Sequence, residues 1–296
     1  MIPIQPVVHP ASTSIGPSTF TWGERTFVMG ILNVTPDSFS GDGLLTGAEV
    51  QDRALAQARR MVDEGADLLD IGGESTRPGH AVIEPAEEID RIVPVIAAVR
   101  AALPATPISV DTSKSVVAEA ALSAGADLLN DIWGTGPDPA LTELAAARHV
   151  PLVVMHNRRE ARYDDVVREV VADLAAALER ALRAGVAEAD LIVDPGIGFG
   201  KTADHNVAVL RDLGALRVLG RPILLGASRK STLGRILDLP PEQRLEGTLA
   251  TTALGIAAGV DLVRVHDVRA NVRAARVSDA IARGRWRAEP ARGGPS

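Results

Sequence analysis

Eight short apolar runs divide this chain, and nearly every one ends on a polar residue of the kind that binds or reacts. Phe27–Leu32 ends on Asn33, Leu68–Leu69 on Asp70, Ile108–Val110 on Asp111, and Leu128–Leu129 on Asn130 and Asp131. Leu152–Met155 ends on His156, Leu191–Val193 on Asp194, Ile223–Ala227 on Ser228–Arg229–Lys230, and Leu262–Val265, which carries Arg264, on His266. A helical pattern separates each run from the next. Eightfold strand–helix alternation predicts the α/β class and a (β/α)8 barrel of the TIM type, built on a parallel sheet. Such barrels place their chemistry at the carboxyl ends of the strands. The polar residues that end the runs therefore outline the rim of an active site.

The length suits one barrel: the chain has 296 residues, and a single barrel typically takes roughly 250. Hydrophobic residues make up 46% and aromatics only 3%, so the core must be aliphatic, as barrel interiors are. A formal net charge of −7 argues against non-specific nucleic-acid binding, which needs a basic stripe. It leaves an anionic small substrate open, because charge at a cleft can oppose the global charge. With no cysteine in the chain, disulfides and thiolate metal sites are excluded. No apolar stretch reaches the roughly 18 residues of a membrane span. The first twenty residues hold no Lys or Arg, unlike a signal peptide. A soluble, cytoplasmic chain is the expectation.

Three segments are expected. Residues 1–26 read as a polar lead-in (1–14) and a hairpin, with Thr19–Trp22 and Arg25–Val28 flanking a Gly23–Glu24 turn. This hairpin would plug the amino-terminal end of the barrel. Residues 27–284 form the barrel, and 285–296 a frayed tail. Helices are predicted over 48–64, 85–102, 114–124, 164–184 and 241–258, with a short one over 231–237. Their ends follow the Pro-in, Gly-out asymmetry. The phrases Gly-Ala-Asp-Leu-Leu (65–69 and 125–129) and Gly-Val-Asp-Leu-Val (259–263) mark helix ends feeding strands. Their Asp falls at the bottom of the barrel, away from the chemistry. Segments 35–47 and 72–85 are long and Gly-rich and follow strands, which is the composition of rim lids.

Residues two apart on a strand share a face. Arg264 and His266 then point together into the barrel mouth, as do Asn130 and Ile132, and Ser228 and Lys230 if their strand runs that far. Asp70, Asp111 and Asp194 converge there from other strands. Each also has a plain structural reading: Asp111, in Asp-Thr-Ser-Lys, as a helix cap, Asn33 as a turn residue, His266 as a packed core histidine. Jointly, so many charges and amides at one face cost too much to desolvate without a ligand. The cations Arg77, Lys230, Arg264 and His266 suit a phosphate group near the short helix at 231–237. Asn33 is compatible with Mg²⁺ held largely by substrate phosphate oxygens. No His/Cys cluster suggests zinc, and His156, single on its strand, reads as structural. Asp194 and Asn130 fit a guanidine-like ring edge, Lys230 a ring carbonyl, and Met155 and Ile132 the apolar ring faces.

Two stretches then stand out, Gly30-Ile-Leu-Asn-Val-Thr-Pro-Asp-Ser-Phe39 and Gly65-Ala-Asp-Leu-Leu-Asp-Ile-Gly-Gly-Glu-Ser-Thr-Arg-Pro78. They resemble the two signature motifs of the dihydropteroate synthase family. Asp194-Pro-Gly-Ile-Gly-Phe-Gly-Lys201, Gly226-Ala-Ser-Arg-Lys-Ser231 and Arg264-Val-His266 are similar to that family as well, and the likeness runs from residue 27 to 283. The resemblance implies a transferase of folate biosynthesis, the sulfonamide target, which joins 6-hydroxymethyl-7,8-dihydropterin diphosphate to p-aminobenzoate. It also implies Mg²⁺ and a homodimer. Under it, Asp111, Asn130, Ile132, Met155, Asp194 and Lys230 hold the pterin, with Arg264 stacked on it. Asn33, Arg77, Arg264 and His266 hold the diphosphate, with Asn33 the metal ligand. Phe39, Thr76, Pro78, Phe199 and Ser228 shape the p-aminobenzoate pocket. Asp111, Asp70, Lys230 and Arg77 carry the catalysis: an SN1-like C–O cleavage leaves a pterin cation, whose charge the two carboxylates offset, and the amine attacks it while closed loops exclude water.

Two stretches depart from the family pattern. Ser40-Gly-Asp-Gly-Leu-Leu stands where the family commonly reads Ser-Asp-Gly-Gly, and His156-Asn-Arg-Arg-Glu-Ala-Arg lacks a common Gly-x-Pro run. Three other readings compete. A pterin barrel of the methyltetrahydrofolate:corrinoid methyltransferase type needs no diphosphate site, and Arg77, His266 and the first motif argue against it. A pterin-binding paralogue without activity is opposed by the intact Asn33, Lys230, Arg264 and His266. A phosphosugar-type barrel enzyme leaves the Asp/Asn set unexplained.

Overall fold

The computed structural model describes residues 11–35, 47–74, 83–134, 136 and 139–284. Strands β1 (Ser12–Ile15) and β2 (Ser18–Thr21) form an antiparallel hairpin. The barrel strands are β3 (Phe27–Asn33), β4 (Leu68–Gly72), β5 (Ile108–Asp111), β6 (Leu128–Asp131), β7 (Leu152–Met155), β8 (Leu191–Asp194), β9 (Leu224–Leu225) and β10 (Leu262–Val265). Their order is β8-β7-β6-β5-β4-β3-β10-β9. A parallel bridge between Val193 and Ile223 closes the ring from β8 to β9. Around it lie α1 (Gly47–Asp63), α2 (Pro85–Ala102), α3 (Ser115–Ala124), α4 (Pro139–Arg148), α5 (Val166–Arg183), α6 (Ala203–Arg211), α7 (Ser231–Leu237), α8 (Leu245–Ala258) and α9 (Val268–Ala282). No helix among the described residues is long and apolar enough to cross a membrane.

The period-two alternation of each strand sorts its residues into two cores. Val28, Leu69, Val110, Leu129, Val154, Val193, Leu225 and Val263 face outward and join the apolar faces of the helices in one cluster. Phe27, Met29, Leu68, Leu128, Val153, Ile192, Leu224 and Leu262 face inward and fill the lower barrel, together with Ile15, Phe20 and Trp22 of the amino-terminal segment. The lower interior is thus packed and capped, and the polar inward residues lie above it. Phe20 and Phe27 pack with rings tilted at 55° and centroids 4.7 Å apart, and Trp22 meets Phe27 edge-on at 5.4 Å. Trp22 Nε1 donates to Thr13 Oγ1 at 2.9 Å. Phe20→Ala should lower the unfolding free energy by about 3–5 kcal/mol, read by urea titration, with turnover per folded molecule unchanged. A loss below 1 kcal/mol, on the order of an exposed-site change, would deny the plug its structural weight.

The hairpin differs from expectation. Its turn is Gly16–Pro17, not Gly23–Glu24, and Ser18–Thr21 forms its second strand. Phe27 and Val28 belong instead to β3, where they pair with β10. A strand buried on both faces and paired on both sides outcompetes a local turn. The helices over 48–64, 85–102, 114–124 and 164–184 agree within two residues, and that over 231–237 matches. The helix over 241–258 does not. Pro241–Gln243 is a separate 3-10 turn and α8 begins at Leu245. Between them Arg244 turns the chain so that its guanidinium reaches the carbonyls of Leu239 (2.8 Å) and Arg229 (2.9 Å).

The Gly-x-Asp phrases acquire a structural reason. Each Asp follows a helix end and accepts the N–H at the start of the preceding barrel strand: Asp67 from Val28 (2.8 Å), Asp127 from Ile108 (2.8 Å) and Asp261 from Ile223 (3.1 Å). Arg25, Arg100 and Arg283 pair with them in turn.

Candidate active site

Above the apolar layer the same inward positions become polar. Asp70 on β4, Ser109 and Asp111 on β5, Asn130 on β6 and Arg264 on β10 form one hydrogen-bonded cluster. Asp70 is fully buried. It accepts Ser109 Oγ at 2.5 Å and Arg264 Nε at 2.5 Å, with Asn130 Nδ2 3.3 Å away. Arg264 Nη2 donates to Asp111 Oδ2 at 2.6 Å. Asp111 Oδ1 is buried and has no hydrogen-bond partner among the described residues. Burial pushes the Asp111 carboxyl up to about 7, although Arg264 pulls the other way. Arg264 is disfavoured by burial too, but Asp70 and Asp111 overcome this and hold its pKa above the ordinary value.

Across the mouth, Asp194 ends β8 and accepts the Gly196 N–H at 2.7 Å through Oδ1. Burial raises its pKa against the pull of Lys230. Strand alternation does not place Lys230, because β9 spans only Leu224–Leu225. A turn does so instead. Arg229 has left-handed backbone, φ 58°, a geometry costing about 1–2 kcal/mol for an L-residue. A two-point pair with Asp267 (2.9 and 2.6 Å) holds it there. Lys230 is then the residue before α7, and its side chain turns inward. Its ammonium donates to the Ile197 carbonyl and sits 4.2 Å from the Phe199 ring centroid. Burial lowers its pKa to about 8, against Asp194.

The other expected residues fall as follows. Asn33 ends β3, and Met155 ends β7, buried. Ile132 lies in the turn after β6, past the strand, so it is not a strand neighbour of Asn130; its carbonyl accepts Asn157 Nδ2 at 3.1 Å. His266 follows β10 and pairs through Nδ1 with Ser228 Oγ at 3.0 Å. Ser228 therefore sits beside His266, while Phe199 sits beside Lys230. Phe39, Thr76, Arg77 and Pro78 lie outside the described residues. Ser109 was not singled out from the sequence, although it stands two residues before Asp111 on the same inward face.

A family model described as pterin binding enzyme matches residues 29–266. The chain belongs to the pterin-binding enzyme family. It is 50% identical to the dihydropteroate synthase of Bacillus subtilis over 265 residues, 90% of this chain and 92% of that one. Among solved structures, a Clostridium difficile dihydropteroate synthase determined in the presence of pteroic acid superposes with a TM-score of 0.86 at 47% identity, covering 89% of this chain and 99% of that one. A Xanthomonas albilineans dihydropteroate synthase with 4-aminobenzoic acid also reaches 0.86, at 43% identity, covering 92% and 98%. In this pterin-binding enzyme the cradle comes from β4, β5, β6, β8 and β10 and from the turns after β8 and β9. That distribution explains why motifs far apart in sequence meet.

Proposed function

We propose that the barrel mouth carries out the following reaction with the residues just described. The chain joins 6-hydroxymethyl-7,8-dihydropterin diphosphate to p-aminobenzoate, giving 7,8-dihydropteroate and pyrophosphate. The supporting observation is Asp111 Oδ1, a buried acceptor without a partner among the described residues, beside Asn130 and opposite Asp194. A donor-rich heterocycle supplies the N–H groups that such a cradle lacks. Asp111, Asn130 and Asp194 take the ring edge and Lys230 the ring carbonyl. Ile132 and Met155 border its faces, with Arg264 stacked on one of them. Arg77, Arg264 and His266 hold the diphosphate. Phe39, Thr76, Pro78, Phe199 and Ser228 border the p-aminobenzoate.

Cleavage comes first. The C–O bond breaks with its electron pair leaving on the diphosphate, and the Asp70 and Asp111 carboxylates offset the charge of the pterin cation. The aniline nitrogen then forms the C–N bond, and its surplus proton passes to the released pyrophosphate. The nitrogen is already nucleophilic, so no strong base is required. Among the described residues no group of three His, Cys, Asp or Glu could hold a metal unaided. Asn33 as a single neutral oxygen fits a hard cation carried mainly by diphosphate oxygens. Bound there, Mg²⁺ would offset the charge of the leaving group. A homodimer is part of the same reading: Leu254 on α8 and Val277 and Ile281 on α9 stand exposed on two helices that pack together, an apolar surface suited to a second copy.

The test is pyrophosphate release from the pterin diphosphate, with and without p-aminobenzoate and Mg²⁺. Release that needs both, with dihydropteroate formed, is the expected result. Tight pterin binding without release would overturn it in favour of a paralogue or methyltransferase.

A further inference from the structure

Residues 195–200, the turn after β8, carry three left-handed glycines, Gly196 (φ 67°), Gly198 (φ 84°) and Gly200 (φ 55°). Such a turn has little conformational preference of its own, yet it presents the Ile197 carbonyl to Lys230 and places Phe199 against the same ammonium. It lies flat on the segment after β7. A Cβ on Gly196 would stand 1.8 Å from the His156 carbonyl oxygen, and one on Gly200 2.2 Å from that of Arg158. The side chain that ties turn and segment together is Lys201. Its Nζ donates to the Gly196 carbonyl (3.0 Å), the Phe199 carbonyl (3.1 Å) and His156 Nδ1 (2.8 Å). His156 Nε2 meets Asp173 Oδ2 on α5 at 3.0 Å, and Arg158 Nε holds that oxygen at 2.8 Å.

We propose that Lys201 is a positioning residue of the condensation site, shaping the 195–200 turn from behind through a Lys201–His156–Asp173 chain. The proposal rests on the reading above and assigns a role to a motif residue that the binding and chemistry leave unused. Proton counting supports it. An ammonium has three donors, and three acceptors surround this one, so each proton is used. The neutral amine would leave one acceptor unmet. His156 can accept at Nδ1 only as a neutral ring with its proton on Nε2, facing Asp173. Burial and the Lys201 charge push the histidine down to about 4, which keeps it neutral at working pH. Burial likewise lowers Lys201 to about 7, with Asp194 and Asp173 favouring its charge and Lys230 and Arg158 opposing it. Lys201 thereby acts on both substrates at once. The turn starts beside Asp194, on the pterin, and carries Phe199, on the p-aminobenzoate side.

The experiment compares K201M and K201R with the wild type in steady-state kinetics, varying each substrate, with thermal midpoints as the folding control. K201M should raise KM for both the pterin diphosphate and p-aminobenzoate by about tenfold, the loss of roughly one charge-assisted hydrogen bond, while K201R recovers most of it. A folded K201M with both KM values unchanged would overturn the proposal. So would a loss confined to kcat, which would put Lys201 on the reacting atoms. Should K201M not fold, D173A carries the test from the outer end of the chain: a rise of about threefold in both KM values upholds the relay, and unchanged values overturn it. A wild type that forms no dihydropteroate would instead sink the functional reading itself.

Discussion

Arg264→Ala should lose stability and activity together, and the stability loss should grow with pH. Among the described residues the guanidinium is the one side chain bonded to both Asp70 and Asp111, at 2.5 and 2.6 Å. Removing one partner of a buried ion pair typically costs about 3–5 kcal/mol, because the remaining charge has nothing to offset it. The pH dependence follows from Asp111. Its folded pKa is already raised from 3.8 to about 7 with Arg264 present, and loss of the cation raises it further. Over that interval the folded state binds more protons than the unfolded one, so stability falls as pH rises. Urea titrations at pH 5 and pH 8 should therefore show the larger deficit at pH 8. For activity, the proposed function gives Arg264 both a diphosphate contact and the stacking role, so kcat/KM should drop by about 10³-fold. An Arg264→Ala protein as stable as wild type at pH 8 would mean that the carboxylates find another cation and that the Arg264 bridge does not hold the cluster.

The inward face of the barrel is legible in the sequence wherever a strand is long enough for alternation to operate. Leu68 and Asp70, Ile192 and Asp194, and Leu262 and Arg264 each pair an apolar lower residue with a polar upper one on the same face. Ser109 obeys the same rule and was readable on that basis. Legibility ends where the strand does. β9 has two residues, so the inward turn of Lys230 depends on Arg229 and Asp267, which lie 38 residues apart. The hairpin shows the same limit. Gly16 and Gly23 both adopt positive φ, 53° and 77°, so local turn chemistry does not choose between them. The choice comes from the demand of β4 and β10 for β3 as a common neighbour. His156 reads from the sequence as a single histidine at the end of its strand, but its link to Lys201 is a contact 45 residues long that periodicity does not report.

Asp111→Asn should do the opposite of Arg264→Ala to the fold while still damaging the reaction. The net shift of Asp111 is upward despite Arg264, so its ionised form is a burden on the fold. That burden builds as pH rises from the unfolded pKa through about 7 and persists above it. Asparagine keeps the shape and removes the burden, so the variant should be at least as stable as wild type at pH 8. The same substitution removes the charge that the proposed function sets against the pterin cation, and kcat should fall by about 10²-fold with a much smaller change in KM. Profiles of kcat/KM report the free enzyme. For wild type they should rise as Asp111 ionises near pH 7 and fall on the alkaline side as Lys201 and Lys230, lowered to about 7 and about 8, lose their protons. In Asp111→Asn the acid limb attributable to that carboxyl should vanish. The Lys230 contribution should move to lower pH, because Asp111 is one of the charges favouring its ammonium. A variant that binds pterin poorly but turns over at the wild-type kcat would place Asp111 in recognition alone. A variant less stable than wild type at pH 8 would show that the Arg264 pair outweighs burial. The two substitutions thus separate what the carboxylate costs the fold from what it contributes to the transition state, and a site built to meet a cation predicts that these have opposite signs.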